Sequence, residues 1–298
     1  MQVHFFMEET KEIQALLHLI DDPDSEVYST VSSRIVSFGK QIIPNLEHLW
    51  ETTPDPETQE RIEMLIHRLH FQDLQQDFQD WSNQDDPDLL TGVLLVSKYQ
   101  YPELNLAPIQ LELEKIRRNI WLELNPFLTA LEQVNVLSNI LFNYYKFKGN
   151  EVNYTRPDEF LFPRLIESKK GNAISNGLLI LIMAKQLDIN LQLIAIPRQF
   201  IMACFSAPIG QDDDMAQIRE KIHFFVDGAS GQMYSHADVE TYFKRIDTEF
   251  TQLYFRPQSN KQIVMQLLGE FSKCFTSALQ QHKRQELLDL ASMIRETV

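Results

Sequence analysis

The most apolar stretch of this 298-residue chain runs from Ile174 to Lys185 and follows a glycine, Gly171. Its longest uninterrupted apolar run, 178–184, has seven residues, whereas a membrane-spanning helix needs about 20. The stretch is therefore predicted to be a helix buried inside a globular core. Three short runs rich in β-branched and aromatic residues follow it, and each predicts a strand: 191–196, 200–205 and 223–227. Helix and strands together predict an α+β core.

The N-terminal half has a different, helical pattern. Three Asp-Pro pairs, at Asp22, Asp55 and Asp86, lie 33 and 31 residues apart, and each precedes apolar residues at helical spacing. Asp is a favourable N-cap and Pro fits the first helical turn, so each pair is predicted to open a helix. Gly39 is predicted to end the first. The spacing favours a short stack of helix pairs resembling HEAT repeats, although common helix starts could coincide by chance.

Further helices are predicted near 108–123 and 127–146, with Asn125-Pro126 opening the second. From 257 to 298 two amphipathic stretches predict a terminal helical hairpin. The predicted fold is thus α+β but predominantly helical, with three parts: a HEAT-like all-helical region (1–123), a core with a small antiparallel sheet (124–256) and the hairpin (257–298).

Charge excludes several kinds of partner. The chain has 27 Lys and Arg against 42 Asp and Glu, a formal charge of −15. Nucleic-acid and membrane-surface binding both need clustered positive charge, so neither is expected. The first residues have no basic segment followed by an apolar stretch, which predicts a soluble, cytoplasmic protein with reduced cysteines.

The middle segment resembles the core of the transglutaminase-like superfamily, in its bacterial SirB-type branch. The resemblance rests on several short strings and on their order: Phe147-Lys-Gly-Asn150, Tyr154 with Pro157, Phe160-Leu161, Lys170-Gly-Asn-Ala-Ile-Ser175, Pro197-Arg-Gln-Phe200 and Phe225-Val-Asp-Gly228. It implies a papain-like core, joined to an N-terminal helical region and to tetratricopeptide-like helices at the C-terminus.

Active members of the superfamily use a Cys-His-Asp triad, in which a thiolate at a helix N-terminus attacks a carbonyl. In this chain the nucleophile position falls on Ala173, the histidine position on Gln199 and the aspartate position on Asp227. A methyl group cannot attack, and a glutamine amide has no proton to exchange near neutral pH. The resemblance therefore implies a degenerate triad with no catalytic residue.

Other nucleophiles are poorly placed. Strand alternation puts Cys204 on the face opposite Gln199, which predicts core packing. Ser175 lies about 200° around the helix from Ala173 and has no base. The sequence therefore favours a non-catalytic protein-interaction or regulatory module that binds a protein or peptide and uses no cofactor. The alternatives are a cysteine-type hydrolase or acyltransferase with an atypical nucleophile, and a structural protein whose groove is unused.

Three other groups of charged residues are candidates for binding an ion. Lys169, Lys170 and Arg198 flank the predicted N-terminus of the buried helix, so they are candidates for binding a carboxylate or phosphate, or else are solvated turn residues. The histidines at 67 and 70, with Glu63 one turn earlier, have a permissible metal spacing but no complementary pair, so no metal site is predicted. The triplet Asp212–Asp214 matches no calcium loop and is predicted to be a solvated hairpin tip.

Overall fold

The computed structural model describes residues 11–210, 213–249 and 251–294. The chain forms two compact units that divide between Asp77 and Phe78, within one long helix. Among the described residues, no helix has both the length and the hydropathy needed to cross a membrane.

The first unit is helical. Beyond a helical segment at 11–17, its helices are α1 (Ser25–Ser37), α2 (Ile43–Thr52) and most of α3 (Pro56–Ser82), with a 3₁₀ turn at Gly39–Ile42. Their apolar faces form one cluster, which includes Ile20, Val31, Ile35, Ile42, Leu46, Ile62, Leu65 and Leu69. Gly39 has a φ of 70° and follows the C-cap of α1, as predicted for a helix stop.

The Asp-Pro pairs open their helices less directly than predicted. Asp55 caps α3 by accepting the N–H of Thr58. At the other two pairs the cap is the aspartate two residues later, Asp24 for α1 and Asp88 for the next helix. Asp and Pro therefore mark the helix start to within two residues, because more than one aspartate there can accept the free N–H groups.

The second unit begins with α4 (Leu89–Lys98), α5 (Ala107–Glu123) and α6 (Ala130–Ser138), which continues as a π-helix over Asn139–Tyr144. The prediction that Asn125-Pro126 opens the helix at 127 is wrong. Asn125 instead accepts the N–H of Phe127 in a turn, and α6 starts after Thr129, whose capping box with Glu132 satisfies the first N–H groups.

The remaining elements follow in chain order. They are β1 (Lys148–Asn150), a 3₁₀ turn (Pro157–Phe160), α7 (Phe162–Ser168), β2 (Lys170–Asn172), α8 (Ala173–Gln186), β3 (Leu191–Ile194), β4 (Ile201–Phe205), α9 (Met215–Glu220), β5 (Ile222–Asp227), β6 (Met233–Tyr234), α10 (His236–Arg245), a 3₁₀ turn (Gln252–Phe255), α11 (Asn260–Ser272), a 3₁₀ turn (Ala278–Gln280) and α12 (Gln281–Met293).

The strands form two sheets. β1 and β2 pair in parallel, and β3 to β6 form an antiparallel sheet in sequence order, with Ile201 opposite Asp227. The antiparallel sheet contains the three predicted strands. One of its faces carries Ile201, Ala203 and Phe225, which pack on α10. Side chains alternate along a strand, so Met202 and Cys204 point to the other face, on the side of α8.

The helical ends of this unit pack on each other. α4 contacts α11, and α11 contacts α12. The Tyr99 hydroxyl, which follows α4, donates to Glu286 of α12 at 2.7 Å. α4 therefore packs with the C-terminal helices inside one compact unit, while the boundaries at 123 and 256 stay predictions.

Candidate functional site

The buried helix α8 starts at a closed turn. Asn172 ends β2 and caps α8, because its Oδ1 accepts the N–H groups of Ile174 and Ser175. The Ser175 hydroxyl accepts the N–H of Asn172 in return. Gly171 is required here because a Cβ would lie 2.4 Å from the Ser175 hydroxyl. The N–H groups that would stabilise a thiolate in an active member are therefore occupied by the chain itself.

Ala173 approaches the other candidate positions through its backbone. A Cβ on Gly228 would lie 2.4 Å from the Ala173 carbonyl oxygen and 2.7 Å from that of Phe200. Gly228 donates its N–H to Phe200 at 2.9 Å. Glycine at 228 thus allows the residues that follow Gln199 and Asp227 to meet the first residue of α8.

Gln199 and Asp227 line one cavity of ≈ 280 Å³, and Ala173 is not part of its lining. Its lining combines buried apolar side chains with polar ones, and the other lining residues are Ile196, Ile201, Tyr234, Asp238, Val239, Thr241, Tyr242 and Arg245. It lies on the α10 face of the sheet. The structure therefore brings two of the three predicted side chains together and leaves the third on the side of α8.

Asp227 does not orient Gln199. Its Oδ2 accepts the N–H and the hydroxyl of Ser230, at 2.9 and 2.7 Å, in the turn after β5. The exposed Gln199 side chain makes no hydrogen bond to any residue that the structure describes. The pair that would shuttle a proton in an active triad is absent from these positions.

The rim of the cavity carries both signs of charge. The Arg245 guanidinium lies 5.4 Å from the centre of the Tyr242 ring, and the Tyr242 hydroxyl donates to the Pro197 carbonyl at 2.8 Å. Burial, and then the carboxylates of Asp227 and Asp238, raise the pKa of Tyr234. The Tyr234 hydroxyl donates to Gln232 Oε1 at 3.4 Å.

Neither cysteine is activated. Cys204 is buried in β4, opposite Phe224, and burial raises the pKa of its thiol to about 11. Burial, followed by the negative charge of Glu270, raises the pKa of the Cys274 thiol to about 12. Reactive cysteines need a lowered pKa, so both thiols have the character of structural residues.

One of the three predicted anion-binding residues is already paired. The Lys169 ammonium contacts Glu112 at 3.0 Å and lies 4.6 Å from the centre of the Phe147 ring. Lys170 and Arg198 are exposed. With the N–H groups of α8 occupied by Asn172, the geometry lends no support to an anion site there.

The aspartates of the triplet that the structure describes make contacts within their own loop. Asp213 accepts from Lys221 and from the N–H of Gly210, and Asp214 caps α9, while Asp212 lies outside the described residues. The predicted hairpin tip therefore contains a short helix. In the described part of the chain no His, Cys, Asp and Glu cluster could hold a metal ion.

The family is decided by one comparison. Residues 107–269, more than half of the chain, match the model of the transglutaminase-like superfamily. The chain belongs to the transglutaminase-like superfamily. Comparison with curated proteins and with solved structures found no match.

This transglutaminase-like domain includes site residues that the sequence analysis missed. Tyr234, Tyr242 and Arg245 line the cavity with Gln199 and Asp227. The spacing of Tyr242 and Arg245 is that of helix neighbours, three residues apart, which is the one local signal that could have grouped them.

Proposed function

We propose that this protein is a non-catalytic member of the SirB-type branch, in which the transglutaminase-like core serves as a protein-interaction or regulatory module. The observation that carries the proposal is the first turn of α8. A methyl group, Ala173, occupies the nucleophile position, and the surrounding N–H groups are already hydrogen-bonded to Asn172.

The cavity beside Gln199 supports a binding role. Its volume of ≈ 280 Å³ lies near the lower end of the range for ligand pockets, about 300–1,000 Å³. Apolar and aromatic side chains form half of its lining, and the polar groups of the other half could orient a ligand. A volume of this size suits one side chain of a protein partner or a small molecule.

The helical regions complete the proposal. A HEAT-like N-terminal array and a tetratricopeptide-like C-terminal hairpin would each offer surfaces to a protein or peptide in the cytoplasm. The net charge of −15 favours partners with basic patches.

The alternative function is a cysteine-type hydrolase or acyltransferase. It would need Cys204 or Cys274 as the nucleophile, and the raised pKa of each thiol argues against both. An assay of the full chain with fluorogenic peptide amides and esters separates the two functions. We expect no turnover above buffer. Turnover that disappears in Cys204→Ala or in Asp227→Asn would contradict the proposal.

Binding is tested by filling the cavity. Thr241 lines it and donates its hydroxyl to the carbonyl four residues earlier, at 2.8 Å. Thr241→Arg should abolish capture of a partner from the native host. Thr30→Arg is the matched control, because Thr30 is an exposed helical threonine with the same hydrogen bond at 2.9 Å. Equal capture by both variants would contradict a role for the cavity.

A further inference from the structure

The charges of the Gln199 cavity are separated along α10. Asp238 lies in the first turn of this helix and Arg245 is its last residue, and both line the cavity. Seven residues make two helical turns, so the two side chains share one face of α10 with a rise of about 10 Å between them. Neither forms an ion pair with a residue that the structure describes. The cavity therefore has an acidic end and a basic end.

Strand pairing adds a second carboxylate to the acidic end. Asp227 is opposite Ile201 across β4 and β5, and Tyr234 is opposite Phe225 across β5 and β6. Paired residues point to the same face of a sheet, and Ile201 and Phe225 pack on α10. Asp227 and Tyr234 therefore point toward α10. After burial, the carboxylates of Asp227 and Asp238 are what raises the pKa of Tyr234, so both carboxylates lie near its phenol.

Each of the two carboxylates keeps one oxygen without a donor. Asp227 Oδ2 is occupied by the turn after β5, and Asp238 Oδ2 accepts the N–H and the hydroxyl of Ser235, each at 2.7 Å. Among the described residues no donor reaches Oδ1 of either side chain. The Arg245 guanidinium does not compensate them, because it lies over the Tyr242 ring. Two negative charges thus remain without a counter-charge at one end of the cavity.

The rest of the lining favours a cation that carries an aliphatic chain. Ile196, Ile201 and Val239 line the cavity and are buried. Lysine and arginine side chains combine methylene groups, which pack on apolar surface, with a terminal positive charge. An anionic or a purely apolar ligand would remove two carboxylates from water without offering them a counter-charge. The lining therefore matches a basic side chain better than either of these ligands.

We propose that the acidic end of this cavity binds a lysine or arginine side chain of the partner protein. The ammonium or guanidinium group lies between Asp227 and Asp238 and against the Tyr234 ring, and its methylene groups pack on the apolar lining. Arg245 disfavours a second basic residue at the other end. This inference rests on the proposed binding function and adds the chemistry of the ligand.

Peptide arrays test the ligand with the full chain. One array presents hexapeptides of varied sequence, each with a single Lys or Arg. In the second array norleucine replaces each Lys and citrulline each Arg, which removes the charge and keeps most of the shape. We expect retention on a subset of the first array, and retention weaker by about tenfold or more on the second, because a charge-assisted contact is lost. Equal retention on both arrays, or none on either, would overturn the proposal.

Variants with opposite expected effects assign the contact to the acidic end. Asp238→Asn should lower the affinity for a retained peptide about three- to tenfold, whereas Arg245→Gln should raise it by up to about threefold, because a repelling charge is removed. Unchanged binding by Asp238→Asn, or weaker binding by Arg245→Gln, would refute the assignment. Circular dichroism melting verifies that each variant is folded.

The matched control for Asp238→Asn is Glu132→Gln. Glu132 accepts the N–H and the hydroxyl of Thr129, each at 2.8 Å, in the same kind of helix cap, and it does not line the cavity. Both variants remove one negative charge from a protein of net charge −15. An equal loss of affinity in both would show a general attraction between an acidic protein and basic peptides, and would contradict the proposal.

The capture experiment separates this inference from the proposed function. Partner capture that Thr241→Arg abolishes and Asp238→Asn leaves at the parent level would keep the binding role of the cavity and refute the basic ligand. Equal capture by Thr241→Arg and Thr30→Arg would contradict both. Calorimetry with free lysine and free arginine is the last arm. Binding of the free amino acid that Asp238→Asn weakens, without peptide retention, would replace the protein partner by a small ligand.

Discussion

The side chains at two positions, 173 and 199, determine which chemistry the start of α8 can support. The resemblance implies a nucleophile at position 173 and a base at position 199, and the chain has a methyl group and an amide there. Both residues are known from the sequence. The hydrogen bond between Asp227 and Ser230 could not be predicted from it, because this contact depends on the turn that follows β5.

The thiols give a residue-scale prediction. Because the pKa values of Cys204 and Cys274 are raised to about 11 and about 12, both thiols are protonated at pH 8. We expect the folded protein to react far more slowly with a disulfide reagent than the urea-unfolded protein, in which both thiols have ordinary pKa values. Rapid reaction of one thiol in the folded state would show an activated cysteine.

Asp213 gives a pH-dependent prediction. Its hydrogen bond with Lys221, and then that with the N–H of Gly210, lower the pKa of its carboxyl group. A lowered folded-state pKa adds stability above the usual carboxyl range, and this stability is lost as pH falls through the folded pKa. Asp213→Asn should therefore reduce the melting temperature at pH 7, and this loss should shrink as the pH is lowered below the usual carboxyl range. A loss that does not change across the acidic range would show that the contact is not ionic.

Secondary-structure elements differ in how well the sequence predicts them. The buried helix and the three strands of the antiparallel sheet were predicted because long apolar or alternating patterns report burial directly. β1 and β2 were missed. Both read Lys-Gly-Asn, and strands of three polar residues carry no alternation. α9 was missed because its six residues are too few for a helical period.

Two helix-interior glycines give an element-scale prediction. A Cβ on Gly177 in α8 would lie 2.3 Å from the Phe200 ring, whereas a Cβ on Gly269 in α11 would meet nothing within 4 Å. Gly177→Ala should destabilise the protein by about 1–3 kcal/mol through overpacking. Gly269→Ala should stabilise it by about 0.5–1 kcal/mol through helix propensity. Urea unfolding of the two variants measures both values, and effects of the same sign would contradict the close contact.

Across the whole molecule, packing joins segments that are far apart in sequence. The site cavity could be predicted only in part, because Tyr234 and α10 reach Gln199 through the folding of the sheet. The packing of α4 against the C-terminal helices could not be predicted from the sequence either. Their association depends on contacts between residues almost 190 positions apart, which no local pattern reports.

The Tyr99 contact gives a prediction at this scale. Tyr99 is buried and donates to Glu286 across the junction of α4 and α12, whereas the less buried Tyr101 hydroxyl accepts from Arg164. Tyr99→Phe should cost about 1.5–3 kcal/mol, as expected for a buried hydrogen bond to a charged group. Tyr101→Phe should cost less than about 1 kcal/mol, because its contact is open to water. Equal losses of unfolding free energy for the two variants, measured by denaturant unfolding, would contradict the expected difference between a buried and an exposed hydrogen bond.

The capping box of Asn172 has an evolutionary consequence. Under the proposed degenerate triad, a cysteine at position 173 is the simplest reversion. Here Asn172 holds the N–H groups that would lower the pKa of a thiol introduced at Ala173. Ala173→Cys alone should therefore yield an inert thiol. Under the proposed degenerate triad, a reactive thiol at position 173 would therefore also need a change at the Asn172 cap.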